Sequence, residues 1–356
     1  MDSVVRDPNR CPIMPRALLL ALLAPASLVA QAARPVSQPQ AASYDPREWA
    51  VPYGAATRPR DPYADDKGRV WFVGQQGNYV AYVDSRTQQF RRYEIEAGTH
   101  PHNLVVNKGM VWFTGNRNGR IVKLDPATGK LTNYMIPDST VRDPHTMIFD
   151  PKSGVAWFSA QNAGTVGRFD PATGQFRLWK TGARSRPYGV VLDSKGRPWF
   201  DLFGTNKLAS IDPATLELEE HVLPAADAHP RRIAITSNDH IYWGDYTRGF
   251  LGHLDPRTGR MDEVPMPAGR ASLPYGMTTD DRDMIWVAQN GTASTPATLV
   301  AFDPRARKWV AEIPVGEPGP NTIRHMTFDP ATRQIWFGTD QGAIGRISVP
   351  RPVLVP

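Results

Sequence analysis

The chain has 356 residues, 41% of them apolar and 21% charged, with a formal net charge of +6. These proportions belong to a soluble globular protein. No Lys/Arg run accompanies the positive charge, and the aromatic residues follow a strand pattern rather than a basic face, so no nucleic-acid partner is expected.

At the N-terminus, Arg16 is followed by ALLLALLAPASLVAQAA, the one long apolar run. It reads as a signal peptide: a positive flank, a short apolar core from Ala17 to Ala30, and small residues at Ala30, Ala32 and Ala33 for cleavage. The run is too short and too interrupted by Pro25 to span a membrane. Residues 1–33 are therefore expected to direct export to the periplasm or beyond, with Met14 as an alternative start. The sole cysteine, Cys11, lies ahead of the apolar core and would leave with the signal. An exported chain without disulfides must be held by its core or by topological closure. Residues 34–44 read as a flexible leader, 45–350 as a single domain and 351–356 as a tail.

From Asp45 on, the chain repeats one phrase, seen most fully from His100 to Pro137. A lead proline and polar residue come first, then a Val/Ile-Trp-Phe strand. A Gly-Arg-Ile strand ending in Asp-Pro-Ala-Thr-Gly follows, and last a strand carrying an aromatic. The Asp of the third segment recurs at Asp84, Asp125, Asp170, Asp212, Asp255 and Asp303, spaced by 41 to 48 residues. That period, with four short β-type runs per unit and no helical periodicity, predicts an all-β seven-bladed propeller with four-stranded blades. All 10 tryptophans fit the phrase: seven in the second segment (Trp243 shifted by one, with Tyr242 in register) and Trp49, Trp179 and Trp309 in the fourth. Residues 45–52 read as the end of a blade, and the chain stops after Gly345–Val349 just where such an end is missing. The N-terminal strand is thus expected to complete the last blade and close the ring, removing two open sheet edges.

The innermost strand of each blade begins at the lead position beside the channel. The residue after it is Arg60, His102, His145, Tyr188, Arg231, Tyr275 and Arg324 in the seven units, followed by Asp61, Asn103, Thr146, Gly189, Arg232, Gly276 and His325. A repeat kept only for stability would place the same small residue there each time. Seven strands meeting at one axis would instead gather a basic, aromatic-lined mouth, suited to a small-molecule or peptide-like ligand. His102, beside Asn103, and the run Asp143-Pro144-His145 offer a general base with a carboxylate nearby. His100-Pro101-His102 is too short for a metal site, and Asp280-Asp281-Arg282-Asp283 reads as a solvated hairpin. No Gly-x-Ser-x-Gly, Walker or His-Glu-x-x-His motif is present.

The segments Arg186–Phe200 and Gly167–Gly174 resemble the virginiamycin B lyase (streptogramin B lyase) family, and the likeness runs over residues 45–350. The resemblance implies a C–O lyase that opens an ester of a cyclic depsipeptide by elimination. It implies a His base, a second His one blade earlier that contacts substrate, and two carboxylates that help bind Mg²⁺. By register His145 matches the base, His102 the earlier His and Asp143 the first carboxylate. The position of the second is taken by Ala160, and the matching blades sit early rather than late in the chain. Arg60, Asn103, Tyr188, Arg231, Tyr275, Arg324 and His325 are the expected substrate contacts. The alternatives are a non-catalytic ligand-binding propeller and, behind it, a metal-dependent lactonase-like hydrolase, for which the sequence offers only Asp61, Asp143 and Asp245. A monomer is expected.

Overall fold

The structure, a computed structural model, describes residues 44–351. The expected signal peptide with Cys11, the leader up to residue 43 and residues 352–356 of the tail lie outside the described residues.

The Asp-Pro-Ala-Thr-Gly phrase is a self-capping turn. The Asp125 carboxylate accepts hydrogen bonds from Ala127 N and Thr128 Oγ1, both at 2.9 Å, and Gly129 N closes back on Asp125 O at 2.8 Å. Gly129 has φ of +74°, a left-handed conformation that costs a glycine nothing. The same carboxylate capping recurs at Asp170, Asp212, Asp255 and Asp303. A second capped turn joins the first two strands of several blades. There Asp65 and Asp280 accept from the indole Nε1 of Trp71 (2.9 Å) and Trp286 (3.1 Å). The Asp280 hairpin is therefore not simply solvated: Asp280 is buried against its tryptophan, whose N–H it satisfies.

Between these turns the chain forms seven antiparallel sheets of four strands each, the blades of a ring. Blade three, for example, runs Pro144–Phe149, Ala156–Ala160, Thr165–Asp170 and Gln175–Lys180, ordered from the axis outward. Tyr242 faces Ala234 and His253 just as Trp199 faces Val191 and Ser210, which confirms the one-residue shift of Trp243. Neighbouring blades bury one another's faces. Trp71 and Val73 of blade one share a core with Leu104, Phe113 and Val122 of blade two, and equivalent clusters follow round the ring. Among the described residues there is no α-helix, only short 3₁₀ turns at Ala55–Thr57 and Gly269–Ser272. None is long and apolar enough to cross a membrane.

The last blade supplies Ile323–Asp329, Gln334–Thr339 and Ala343–Ser348 from the C-terminal end, and Arg47–Ala50 from the N-terminal end as its outermost strand. The register pairs Arg47 with Arg346 and Trp49 with Ile344, and Val51 N reaches Gly342 O at 2.9 Å. Trp49 stacks on Trp336 with centroids 5.7 Å apart. The expected closure is present.

The innermost strands carry the feature that builds the site. In six of the seven blades the pairing with the second strand slips within the residues that follow the lead position, as between Pro101 and Leu104 or Pro144 and Met147. Such bulges insert an extra residue and re-aim side chains. In blade six Tyr275 and Gly276 instead precede the strand and bond to Ala288 through backbone N–H and O.

Candidate functional site

In blades two, three and four the bulge is held by a polar group directly after the Trp-Phe pair. Asn103 N donates to Thr114 Oγ1 at 3.1 Å, Thr146 N to Ser159 Oγ at 3.2 Å, and Gly189 N to Asp201 Oδ1 at 2.8 Å. Sequence reasoning missed these three supports, although Trp-Phe-Thr, Trp-Phe-Ser and Trp-Phe-Asp in consecutive blades were their signal. Asp201 is wholly buried, its Oδ2 has no partner, and burial pushes its carboxyl up to about 7.

The expected ring residues meet at the axis. The His102 and His145 rings lie 3.6 Å apart between centroids, and Tyr188 lies 4.0 Å beyond His145. His102 Nδ1 is 3.1 Å from His145 O, and His145 Nδ1 is 2.9 Å from Thr146 Oγ1. Burial, reinforced by the Arg60 and Arg232 guanidinium groups, holds both imidazoles well below the usual histidine range, so both are neutral. The Tyr188 and Tyr275 hydroxyls hydrogen-bond to each other, and Arg231 Nη2 donates to both, at 3.4 and 3.2 Å. The Arg231 guanidinium is boxed by Tyr275 (4.0 Å), Tyr246 (4.4 Å), Phe203 (4.6 Å) and Tyr188 (5.1 Å). Burial alone would raise the Tyr275 phenol. The surrounding arginines, Arg231 foremost, outweigh it and bring it down to about 7. Phe203 and Tyr246 follow the second strands of their blades, outside the positions aligned by sequence.

Arg232 joins four blades. It is 2% exposed and has φ of +67°. Its Nε donates to Arg324 O at 2.9 Å and its Nη1 to Thr146 Oγ1 at 3.1 Å, while Nη2 stands 3.7 Å from Asp61 Oδ2. Asp61, wholly buried, also accepts from Arg60 Nε (2.8 Å) and Asn103 Nδ2 (2.9 Å). Burial would raise this carboxyl, but Arg60 and Arg232 hold it far below the usual carboxylate range. Asn103 spends its other atom on Met147 N at 2.9 Å, so its amide is structural. Arg324 pairs with Asp340 at 2.8 Å and lies 5.6 Å from the Tyr275 ring.

Thus Arg60, His102, His145, Tyr188, Arg231, Tyr275 and Arg324 share one axial cluster, packed as a plug rather than as an open mouth. His325 lies one layer further along and lines a cavity beyond the plug. Three buried guanidinium nitrogens of the cluster, Arg60 Nη2, Arg232 Nη2 and Arg231 Nε, have no hydrogen-bond partner among the described residues.

The carboxylates are committed elsewhere. Asp143 accepts from Asn162 N (2.5 Å) and Ala163 N (3.3 Å) at the hairpin of its blade, and burial raises its carboxyl. Asp245 is bound to His229 N and Arg248. Ala160, at the second-carboxylate position, is wholly buried in an apolar cluster with Ile121, Val141 and Met147. Among the described residues no three His, Cys, Asp or Glu side chains gather as a metal site. Mg²⁺ requires several oxygen ligands in near-octahedral geometry, and this donor set does not fit it.

Comparisons with known proteins agree with the architecture. The sequence profile of the virginiamycin B lyase family matches residues 105–353. Among curated proteins no sequence matches. A streptogramin B lyase structure superposes with a TM-score of 0.75 at 22% identity, covering 86% of this chain and 97% of its own. A catalytically inactive variant of virginiamycin B lyase from Staphylococcus aureus with quinupristin gives 0.75 at 20% identity, over 86% and 99% of the two chains. The extracellular domain of a one-component system from B. thetaiotaomicron gives 0.65 at 16% identity, over 86% of this chain and 44% of that one. With its profile spanning six of the seven blades and its ring closed as described, the chain belongs to the virginiamycin B lyase family.

Proposed function

We propose that this chain is an exported, virginiamycin B lyase-like propeller that binds a small anionic or peptide-like ligand at the axial cluster. One observation carries the reading. Arg60, Arg231, Arg232 and Arg324 converge on the axis, where among the described residues Asp61 and Asp340 are the carboxylates that pair with them, and three of their buried donors have no hydrogen-bond partner. A buried donor without a partner costs about 1–3 kcal/mol, more for a charged group, and a carboxylate or phosphate would satisfy several at once. The aromatic box around Arg231 fixes its guanidinium and leaves a flat apolar surface beside the charge. The reading needs no metal. Isothermal titration with inorganic phosphate and with a short peptide bearing a free carboxylate tests it. Binding that weakens in Arg60→Ala and Arg231→Ala is expected, and no binding by wild type in the millimolar range would refute it.

The second reading is the family's elimination, favoured by a neutral His145 whose Nε2 makes no hydrogen bond among the described residues. His145 would take the proton from the carbon adjacent to the one that bears the ester oxygen. The C–O bond would break as the C=C bond forms, releasing a carboxylate, while His102 positions the ester. The same burial that keeps His145 neutral makes it a weak base, which ranks this reading second. Quinupristin is the substrate to try. If the protein opens it, His145→Ala should lose about 10²- to 10⁴-fold in rate, and an equally fast variant would remove His145 from the role.

A further inference from the structure

We infer that the channel holds a second ligand site beyond the axial plug, for a small uncharged molecule with an apolar body and one hydrogen-bonding group. Past the bulge, the innermost strands of all seven blades line a cavity of about 310 Å³. Its size lies at the lower end of the roughly 300–1,000 Å³ usual for small-molecule sites. Six blades contribute Tyr63, Val105, Ile148, Val191, Ile235 and Phe328, each half-buried, and blade six contributes Thr279. Tyr63, Val105, Ile148 and Val191 hold one register, each opposite the tryptophan of the second strand, and Ile235, Thr279 and Phe328 stand one position further along theirs. Among the described residues no Lys, Arg, Asp or Glu lines the cavity.

The inner end is polar and incompletely satisfied. Thr146, held by Arg232, and His325 both line the cavity. The His325 ring makes no hydrogen bond among the described residues and its Nδ1 is a buried atom without a partner, as is Thr279 Oγ1 in the wall. Burial, with Arg232 nearby, brings His325 down to about 4, so at neutral pH its ring presents one donor and one acceptor and no charge. The guanidinium of Arg232 is tied to blades one, three and seven and does not itself line the cavity. Apolar walls about a neutral imidazole and a threonine hydroxyl match a phenol or a short alcohol. They would reject an anion, which the wall cannot solvate.

The site is independent of the anion reading, and the experiment separates the two. ¹⁹F NMR titration uses 4-(trifluoromethyl)phenol as the probe, with and without saturating inorganic phosphate. Saturable one-to-one binding that phosphate does not displace is expected. Ile235→Lys, which puts a charge into the wall, should weaken it by at least about tenfold, and His325→Phe, which keeps the ring volume but loses the polar partner, by about three- to tenfold. Circular dichroism establishes that each variant is folded, and His325→Phe serves alone if Ile235→Lys is not. Absence of saturable binding at millimolar probe, displacement by phosphate, or unchanged affinity in the folded variants would each overturn the inference.

Discussion

Asp201→Asn tests the electrostatics of the axis most directly. Asp201 is wholly buried under the bulge of blade four, accepts from Gly189 N at 2.8 Å, and leaves Oδ2 unpartnered. The contact is close enough that a Cβ on residue 189 would stand 2.6 Å from Asp201 Oδ1, which is why that position is glycine. Burial raises the carboxyl from 3.8 to about 7. Below pH 4 it is protonated whether the chain is folded or not. Between pH 4 and 7 the folded protein retains a proton that the unfolded chain has lost, so stability falls as pH rises through this window and is level above it. Roughly three pKa units at about 1.4 kcal/mol each set a ceiling of about 4 kcal/mol on the loss. Asparagine keeps the acceptor for Gly189 and removes the titration. Urea unfolding of wild type and variant at steps from pH 4 to 8 measures the difference. His102, His145 and His325, whose basicity is lowered by burial, act in the opposite sense as pH falls below 6.5, but they are common to both proteins and cancel. The variant should gain relative to wild type as pH rises from 4 to 7. A difference that stays constant across that range would refute the argument.

Other consequences are open to measurement. Deleting residues 34–53 removes the outermost strand of the last blade and exposes the edge of Ala343–Ser348, so the product should aggregate or unfold, as light scattering and circular dichroism will show; a soluble, fully folded truncation would contradict the closure. Ala160→Glu places a carboxylate among Ile121, Val141 and Met147. It should lower the melting temperature by several degrees without creating Mg²⁺ affinity, as differential scanning and titration calorimetry will report. N-terminal sequencing of protein from the native host should find a mature chain beginning near Ala33, and an intact 17–30 segment on a cytoplasmic product would rule out export.

The blade architecture was legible because its determinants are local. An Asp that caps its own turn, a glycine in a left-handed conformation and a strand tryptophan each leave the same mark in every unit. The ring of residues after the lead proline was legible as well, since strands in equivalent register present equivalent positions to the axis. What escaped was whatever depends on contacts across the axis. Nothing near Arg232 in sequence announces that its guanidinium reaches Arg324 and Thr146, some 90 residues away in either direction. Nor does sequence show that Tyr188 and Tyr275 close on one another and turn an expected mouth into a plug. Phe203 and Tyr246 lie past the aligned strand positions, so no register argument could bring them to Arg231.

The pairing of Arg47–Ala50 with Ala343–Ser348 also sets an order of events in the cell. The ribosome makes the first partner at the start of the domain and the second at its very end, nearly 300 residues later. At about 5–20 residues per second, the early strand waits roughly 15–60 s for its mate. During that interval its hydrogen-bonding edge and Trp49 have no native cover, while blades one to six can form behind it as they emerge. Completion of the ring therefore has to wait for the last residues of the domain to be made. A C-terminal truncation ending before Ala343 would fail for the same reason as loss of the N-terminal strand, although the two lesions lie at opposite ends of the sequence.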